Sequence, residues 1–154
     1  MDEASVAEPR ISMAEHARIT ALIAEGDRPL KDVLAAEGVS DDEWNDATVH
    51  WMNAMAADAA AKGAGAVLAI DYADVFGKAQ DALKPVPAMT PEEWAALTVE
   101  VLNAGGPAKP LATRNLSKAD YLRLSRHWAK RLPANPAENK RFFATFEALT
   151  APQP

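Results

Sequence analysis

The sequence predicts an all-α protein, a tandem pseudo-repeat of two small helical bundles with about seven helices in total. The first observation is an internal repeat: the stretch Trp44–Met55 returns as Tyr121–Leu132, and both copies contain the dipeptide His-Trp. The second is periodicity, because both copies place large apolar groups at i, i+3, i+7 and i+11, one stripe of a helix. The third is that no run alternates apolar and polar residues with β-branched enrichment, as a half-buried strand would.

Composition and charge are those of an ordinary soluble globular protein. The 154 residues are 49% hydrophobic and 25% charged, and alanine, the strongest helix former, supplies much of the apolar fraction. No segment approaches the roughly 18 uninterrupted apolar residues of a membrane span. The acidic N-terminus lacks the apolar region of a signal peptide. The absence of cysteine excludes disulfides, thiolate zinc sites and cysteine nucleophiles. We therefore expect a cytoplasmic protein without a membrane partner.

Capping residues divide the first half, residues 11–84, into four helices behind a flexible leader at residues 1–10. Ser12 and Ser40 are each followed three residues later by glutamate, the capping-box pattern at a helix start. The short second helix is expected to bury three apolar side chains: Leu30, Val33 and Leu34. The predicted helices run from residue 12 to about 25, over 29–37, from residue 40 to about 62, and over about 66–83.

Two prolines, at positions 85 and 87, forbid a continuous helix and mark a linker at residues 85–89. The second half, residues 90–150, repeats the plan with one damaged element. Thr90 and Ser117 open capping boxes there. Pro110 reduces the short second helix to one turn or a loop, Pro133 ends the central helix, and a last helix opens at residue 135. Residues 151–154 form a tail.

The apolar stripes predict the structural core. Trp51 and Trp128 stand at equivalent positions in mid-helix, so we expect both to be largely buried at matching places in the two halves. The tryptophans could instead stack on a ligand, but their helical spacing favours the core. The predicted core aromatics are Trp44, Trp51, Trp94, Trp128, Tyr72, Phe76, Phe142 and Phe146.

The histidines lack the spacing of a metal site. A helical site requires a second ligand one turn away, as in His-x-x-x-His or Glu-x-x-His. Asp46 precedes His50 by four residues, but Arg123 holds that place before His127, which argues against a metal site shared by the repeats. No glycine-rich phosphate loop, nucleophile elbow or calcium-loop spacing occurs. We therefore expect a non-enzymatic protein with no catalytic residues, no metal and no cofactor.

Charge is distributed unevenly between the halves. Residues 11–85 hold 13 acids and six bases, whereas residues 86–154 hold six acids and nine bases. The second central helix is rich in arginine, which suits interfaces because its planar fork meets carboxylates. We therefore predict that a protein with an acidic surface binds here, although the same helix could face the acidic first half and hold the bundles together. The predicted partner-binding residues are Arg123, Arg126, His127, Lys130 and Arg131.

The half-repeat resembles a known helical module. Its pattern is a cap, a helix, Val-Leu-Ala-x-x-Gly, Trp-x6-Trp, a polar gap and an aromatic helix, present here as VLAAEGVSDDEWNDATVHWMNAM and ADYLRLSRHWAKRLPANPAENKRFFATF. This pattern resembles a module of bacterial proteins associated with type VI secretion gene clusters. The resemblance covers nearly the whole chain and implies an accessory, adaptor or immunity-like role in a secretion or contractile-injection context. The second half departs from it at Pro110 and Asn115, where Leu-Ala-x-x-Gly is lost.

Three functional hypotheses stay open. The leading one is a non-enzymatic protein-interaction module, an adaptor or immunity protein. The second is a small-molecule or cofactor-binding bundle in which the paired tryptophans and histidines line a cavity between the halves. The third is a nucleic-acid-binding regulator that uses the basic stretch 123–131, against which the net charge of −6 argues.

Overall fold

The computed structural model describes residues 7–152, so parts of the predicted leader and tail, residues 1–6 and 153–154, lie outside the described residues. Within that range the chain is helical and contains no strand, which confirms the all-α prediction. None of the helices within it is long and apolar enough to span a membrane. A 3₁₀ turn covers Gly63–Gly65. The α-helices of the described range are α1 (Met13–Glu25), α2 (Leu30–Ala36), α3 (Asp41–Lys62), α4 (Leu68–Leu83), α5 (Pro91–Ala104), α6 (Ala108–Thr113), α7 (Lys118–Ala134) and α8 (Pro136–Thr150).

The chain divides into two compact units, with the boundary between Leu83 and Lys84. Unit 1 contains α1–α4 and unit 2 contains α5–α8, and in both the second helix is the shortest. In unit 1, α1 packs along α4 and also contacts α2 and α3. In unit 2, α5 packs along α8, while α6 contacts both α5 and α7. The first and last helices therefore form the main pair in each unit.

Side-chain caps start five helices where the sequence predicts, the fifth being Asn135 at the start of α8. Ser12 and Ser40 each accept a hydrogen bond on Oγ from the backbone N–H three residues later, at 3.1 Å. In unit 2, Thr90 and Ser117 form complete capping boxes with the acidic residue three positions on. These bonds satisfy N–H groups that have no partner inside a helix. The starts could be predicted because each cap involves only neighbours in sequence.

The short helix α6 corrects the prediction of one turn or a loop. Pro110 is its third residue, within the first turn, where a helix does not use the N–H that proline lacks. Asn115, just beyond the helix, adopts φ 59°, and Leu116 N donates to Leu111 O at 2.9 Å. The equivalent residue of unit 1, Gly38, adopts nearly the same φ of 69° just beyond α2. Asparagine is among the few residues that accept this left-handed conformation, so the loss of glycine does not break the element.

Two helix boundaries also differ from the prediction. Pro133 lies inside α7, which ends one residue later at Ala134. α4 begins at Leu68 because the carboxylate of Asp58 accepts hydrogen bonds from the backbone N–H groups of residues 67 and 68, both at 3.0 Å. These bonds, together with Lys62, lower the pKa of Asp58 to about 2. Asp58 therefore ties the end of α3 to the start of α4.

Each unit has its own apolar core, and the predicted aromatics occupy it unequally. Trp44 in unit 1, and Trp94, Trp128 and Phe142 in unit 2, are buried. The other four predicted core aromatics are only partly buried: Trp51, Tyr72, Phe76 and Phe146. Trp51 is less deeply buried than the equivalent Trp128, because Trp51 lies at the core edge, where it donates from Nε1 to Ile11 O at 3.0 Å.

The short helix α2 buries fewer side chains than the sequence suggests. Val33 and Leu34 are buried as predicted, and both belong to the core of unit 1. Leu30, the first residue of α2, is 46% exposed, so the prediction that it is buried is wrong. The helix is only seven residues long and turns a single pair of side chains inward.

Candidate functional site

The predicted partner-binding residues on α7 do not share one surface. Arg123 has 0% exposure, and its Nη1 lies 3.6 Å from Asp120 Oδ1 in the preceding turn. Its assignment to an exposed binding face is therefore wrong, because the buried side of α7 includes position 123 beside Ala119 and Leu124. Of the other four residues, Arg126 and His127 are partly buried, and Lys130 and Arg131 are exposed.

The exposed Arg131 is held by a carboxylate of its own unit. Its Nε and Nη2 donate to the two carboxylate oxygens of Glu138 at 2.5 and 2.7 Å. This bidentate pair lowers the pKa of Glu138 and raises that of Arg131. Arg114 and Arg141 pair in the same way with Glu100 and Glu92. These three guanidinium groups are therefore paired with carboxylates of their own unit, and lysines supply most of the exposed cationic surface of unit 2.

A polar cluster that the sequence analysis did not identify surrounds His16 in unit 1. His16 is 6% exposed, and its ring stacks on Trp44 with centroids 4.2 Å apart. Its Nδ1 lies 2.8 Å from Tyr72 Oη, and its Nε2 lies 2.8 Å from Thr48 Oγ1. Tyr72 Oη also lies 3.0 Å from Thr20 Oγ1. We call these four polar residues, His16, Thr20, Thr48 and Tyr72, the His16 network.

Two hydrogen-bond arrangements complete the His16 network. With a neutral ring, Tyr72 donates to Nδ1, and Nε2–H donates to Thr48, whose own proton goes to the Trp44 carbonyl at 2.8 Å. With a charged ring both nitrogens donate, so Tyr72 turns its proton to Thr20, which donates to the His16 carbonyl at 2.7 Å. The neutral arrangement has one hydrogen bond fewer, because no proton is left for the contact between Tyr72 Oη and Thr20 Oγ1, but both ring nitrogens keep a partner in either state.

Burial favours the neutral ring. Removal from water lowers the pKa of His16, because a buried ring loses the hydration of its charged form. Burial also raises the pKa of Tyr72, although the hydrogen bond to Thr20 opposes this. The network is therefore uncharged at neutral pH. Each polar atom in it already has a partner inside the unit, which is the arrangement of a structural polar core.

Two of the four equivalent positions of unit 2 are apolar. Trp94 stands four residues after its cap, as His16 does, and Phe142 aligns with Tyr72. Ser125 and Thr98 keep a hydroxyl in place of Thr48 and Thr20, respectively. The sequence features that could have predicted the His16 network are a histidine and a threonine one turn apart on α1 and a tyrosine in the apolar stripe of α4. They did not predict it, because α1, α3 and α4 are distant in sequence.

Two open grooves lie in unit 1. One, of about 430 Å³, lies between α1 and α4 and is lined by Ala14, Glu15, Arg18, Val75, Lys78 and Ala79. The other, of about 450 Å³, lies beside α2 and α3 and is lined by Pro29, Leu30, Lys31, Leu34, Asp41, Trp44 and Asn45. Within residues 7–152, no group of three or more histidine or acidic side chains could hold a metal ion. The grooves suit contact with another surface better than reaction chemistry.

The outer face of α3 exposes two large apolar side chains. Val49 and Met52 are 60% and 61% exposed, whereas Trp44 and Ala47 of the same helix are buried. Contiguous apolar patches commonly mark interaction sites. The aligned positions on α7 hold Arg126 and Ala129. The two central helices therefore differ most on the sides that face away from their cores.

Comparison with known proteins identifies no relative of this chain. No protein family, no curated protein and no solved structure matches the chain. The resemblance to a helical module of type VI secretion clusters stays a prediction.

Proposed function

We propose that this chain is a non-enzymatic helical interaction module that binds another protein, and that the exposed lysines of unit 2 take part. One observation carries the proposal. The arginines at 114, 131 and 141 pair with glutamates of their own unit, whereas the lysines at 109, 118, 130 and 140 are exposed. Unit 2 thus presents lysine charge to solvent in a chain of net charge −6. The partner that this distribution attracts is an acidic protein surface.

The outer side of α7 combines charge with apolar area. Lys118 and Lys130 lie near its two ends, and Leu122, which is 41% exposed, lies between them. Exposed charges mainly raise the association rate and make it depend on salt, whereas an apolar contact adds affinity that salt affects little. We therefore expect binding that weakens, without vanishing, as salt is raised.

The wider role is that of an adaptor, accessory or immunity-like protein in the cytoplasm of a bacterium with a secretion system. The support for this context is the resemblance of the half-repeat to a module of proteins from type VI secretion clusters. Support for binding rather than catalysis comes from the geometry: the His16 network is saturated with internal hydrogen bonds.

The test compares two charge-matched double variants as bait in quantitative pull-downs from the native host. Lys118→Glu with Lys130→Glu reverses two charges on α7, and Arg28→Glu with Lys78→Glu makes the same change in unit 1. All four side chains are exposed, so both variants should melt within a few degrees of the wild type. We expect the α7 variant to lose a protein that the wild type and the unit 1 variant both retain, with losses of tenfold or more.

Two results would contradict the proposal. Equal capture of every partner by all three baits would show that the α7 lysines do not bind. A lower melting temperature of the α7 variant with unchanged capture would assign these lysines to holding the fold together, the rival account of the basic helix.

A further inference from the structure

The outer face of α3 carries the spacing of a helix-docking seam. Successive steps of four and three residues connect its members, the pattern by which two helices interlock side chains. Each member is exposed, and none of them is among the buried residues of the helix. The seam residues are Asn45, Val49, Met52, Ala56 and Ala59.

We propose that unit 1 docks a second copy of this chain through this seam, with the two α3 helices antiparallel across a two-fold axis between Met52 and Ala56. A symmetric pair requires a surface that complements itself. The outer face of α3 meets this requirement in shape, in charge and in what lies at its two ends.

Shape favours the antiparallel pair. The seam is bulky in its first half, at Val49 and Met52, and small in its second half, at Ala56 and Ala59. Across the proposed axis, Met52 faces the other copy's Ala56, and Val49 faces the other copy's Ala59. Large side chains then meet small ones at every layer, which fills the space between the helices. A parallel pair would place large against large and leave a gap along the alanines.

Charge favours the same direction. The first turns of α3 carry Asp41, Asp42, Glu43 and Asp46. The last turn carries Lys62, whose Nζ lies 2.9 Å from Asp58. A parallel pair would set two acidic ends side by side, which costs free energy. The antiparallel pair avoids this repulsion, because each acidic end then lies against a last turn whose Lys62 and Asp58 form an ion pair, and it also opposes the two helix dipoles.

The ends of the seam match as well. The groove of about 450 Å³ beside α2 and α3 opens at the N-terminal end of the seam, where Leu30 and Asn45 line it. Val67, beyond the C-terminal end of α3, is 52% exposed. Antiparallel docking brings the 63–67 turn of one copy to the groove of the other. An exposed apolar side chain and an exposed apolar groove are then covered together.

The first experiment measures the mass of the full chain in solution by sedimentation velocity over a range of concentrations. The variant Val49→Glu with Met52→Glu places charges in the seam. The matched control puts the same number of charges on exposed apolar residues of unit 2, Leu102→Glu with Leu149→Glu, which are 63% and 52% exposed. We expect a concentration-dependent dimer for the wild type and the control, and at least a tenfold higher dissociation constant for the seam variant.

The second experiment tests whether the two α3 helices are antiparallel. It uses introduced cysteines, because the chain contains no native cysteine. Val49→Cys and Ala59→Cys are prepared separately, then oxidised mildly alone and as a mixture. Antiparallel docking predicts a disulfide-linked dimer in the mixture and little when either variant is alone. Cross-linking of each variant with itself would show a parallel pair and overturn the proposal. A wild type that stays monomeric at millimolar concentration, or a seam variant that dimerises as well as the control, would also overturn it.

This proposal does not depend on the proposed function. The seam lies on α3 in unit 1, whereas the partner surface lies on α7 in unit 2. A wild type that stays monomeric but captures a partner through the α7 lysines would reject only the seam. A wild type that dimerises through the seam, with an α7 variant that still captures every partner, would reject only the lysine surface.

Discussion

Unit 1 and unit 2 share the order of their helices, but they distribute polar and apolar side chains in opposite ways. Inside unit 1, the His16 network places a histidine, two threonines and a tyrosine between α1, α3 and α4. Inside unit 2, the core joins Trp94, Leu124, Trp128 and Phe142. The same plan of helices therefore encloses a polar network beside an apolar core in unit 1, and mainly apolar side chains in unit 2.

The solvent-facing sides of the two central helices differ as well: apolar side chains are exposed on α3 and charged ones on α7. The outward side of α3 exposes Val49 and Met52, whereas that of α7 exposes Lys118 and Lys130. Selection for a stable fold alone would bury apolar groups and expose polar ones in both units. Unit 2 also departs from that rule, at the buried Arg123 and the exposed Leu102, but unit 1 does so with a hydrogen-bonded network inside and two large apolar groups on the outside of one helix.

The largest expected difference between the units concerns their tryptophans. Trp128 is 3% exposed, so Trp128→Ala should lower the free energy of unfolding by about 3–5 kcal/mol. Trp51 is only partly buried, so Trp51→Ala should cost less, about 1–3 kcal/mol, including its hydrogen bond to the Ile11 carbonyl. Urea titration followed by circular dichroism measures both. Equal costs for the two variants would contradict the difference in depth.

A conservative pair of variants sharpens this result. The buried Nε1 of Trp128 has no hydrogen-bond acceptor among the residues that the structure describes. Trp128→Phe should therefore cost only the lost ring area, while Trp51→Phe also loses a hydrogen bond.

A reciprocal exchange tests the two interiors next. Tyr72→Phe removes a hydroxyl from the His16 network, and Phe142→Tyr inserts one among the apolar rings of unit 2. Each change should lower the free energy of unfolding by about 1–3 kcal/mol, because each leaves a buried polar atom without a partner. Thermal and urea denaturation of the two variants measure the cost. If Phe142→Tyr were as stable as the wild type, the core of unit 2 would not be apolar at that position.

A smaller effect should appear in acid at the corner between α3 and α4, because neutral Asn135 holds the place of Asp58 at the α7–α8 corner of unit 2. The pKa of Asp58 in the folded state is about 2, below its ordinary value of 3.8. Its contribution to stability is therefore present above pH 3.8 and is lost as pH falls toward 2. Asp58→Asn should be less stable than the wild type at pH 7, and the difference should shrink below pH 4. A difference that stays constant from pH 7 to pH 2 would contradict this role.

The sequence predicts those features that depend on neighbours along the chain. Caps at Ser12, Ser40, Thr90 and Ser117 join residues three apart, and the helical stripes need only the period of the helix, so the all-α fold could be predicted. Pro110 was misread because its effect depends on its position within the first turn of α6 rather than on its presence.

The candidate sites were harder to predict because they depend on packing. Periodicity places Arg123 near the edge of the apolar stripe of α7, and only the packed structure shows that it is buried. The His16 network joins side chains from three helices, and no local pattern links position 16 to position 72. The pairing of Arg131 with Glu138 across the α7–α8 corner likewise became visible only once the turn between them was defined.

The contrast between the two interiors is tested most directly by the titration of His16. The pKa of its ring is measured by NMR in the folded protein, with His16→Gln used to assign the signal. The account predicts a pKa below the ordinary value of 6.5, because burial disfavours the charged ring. Stability contributed by His16 is then present above pH 6.5 and lost as pH falls through the lowered pKa. A pKa at or above 6.5 would contradict a buried, neutral His16 network.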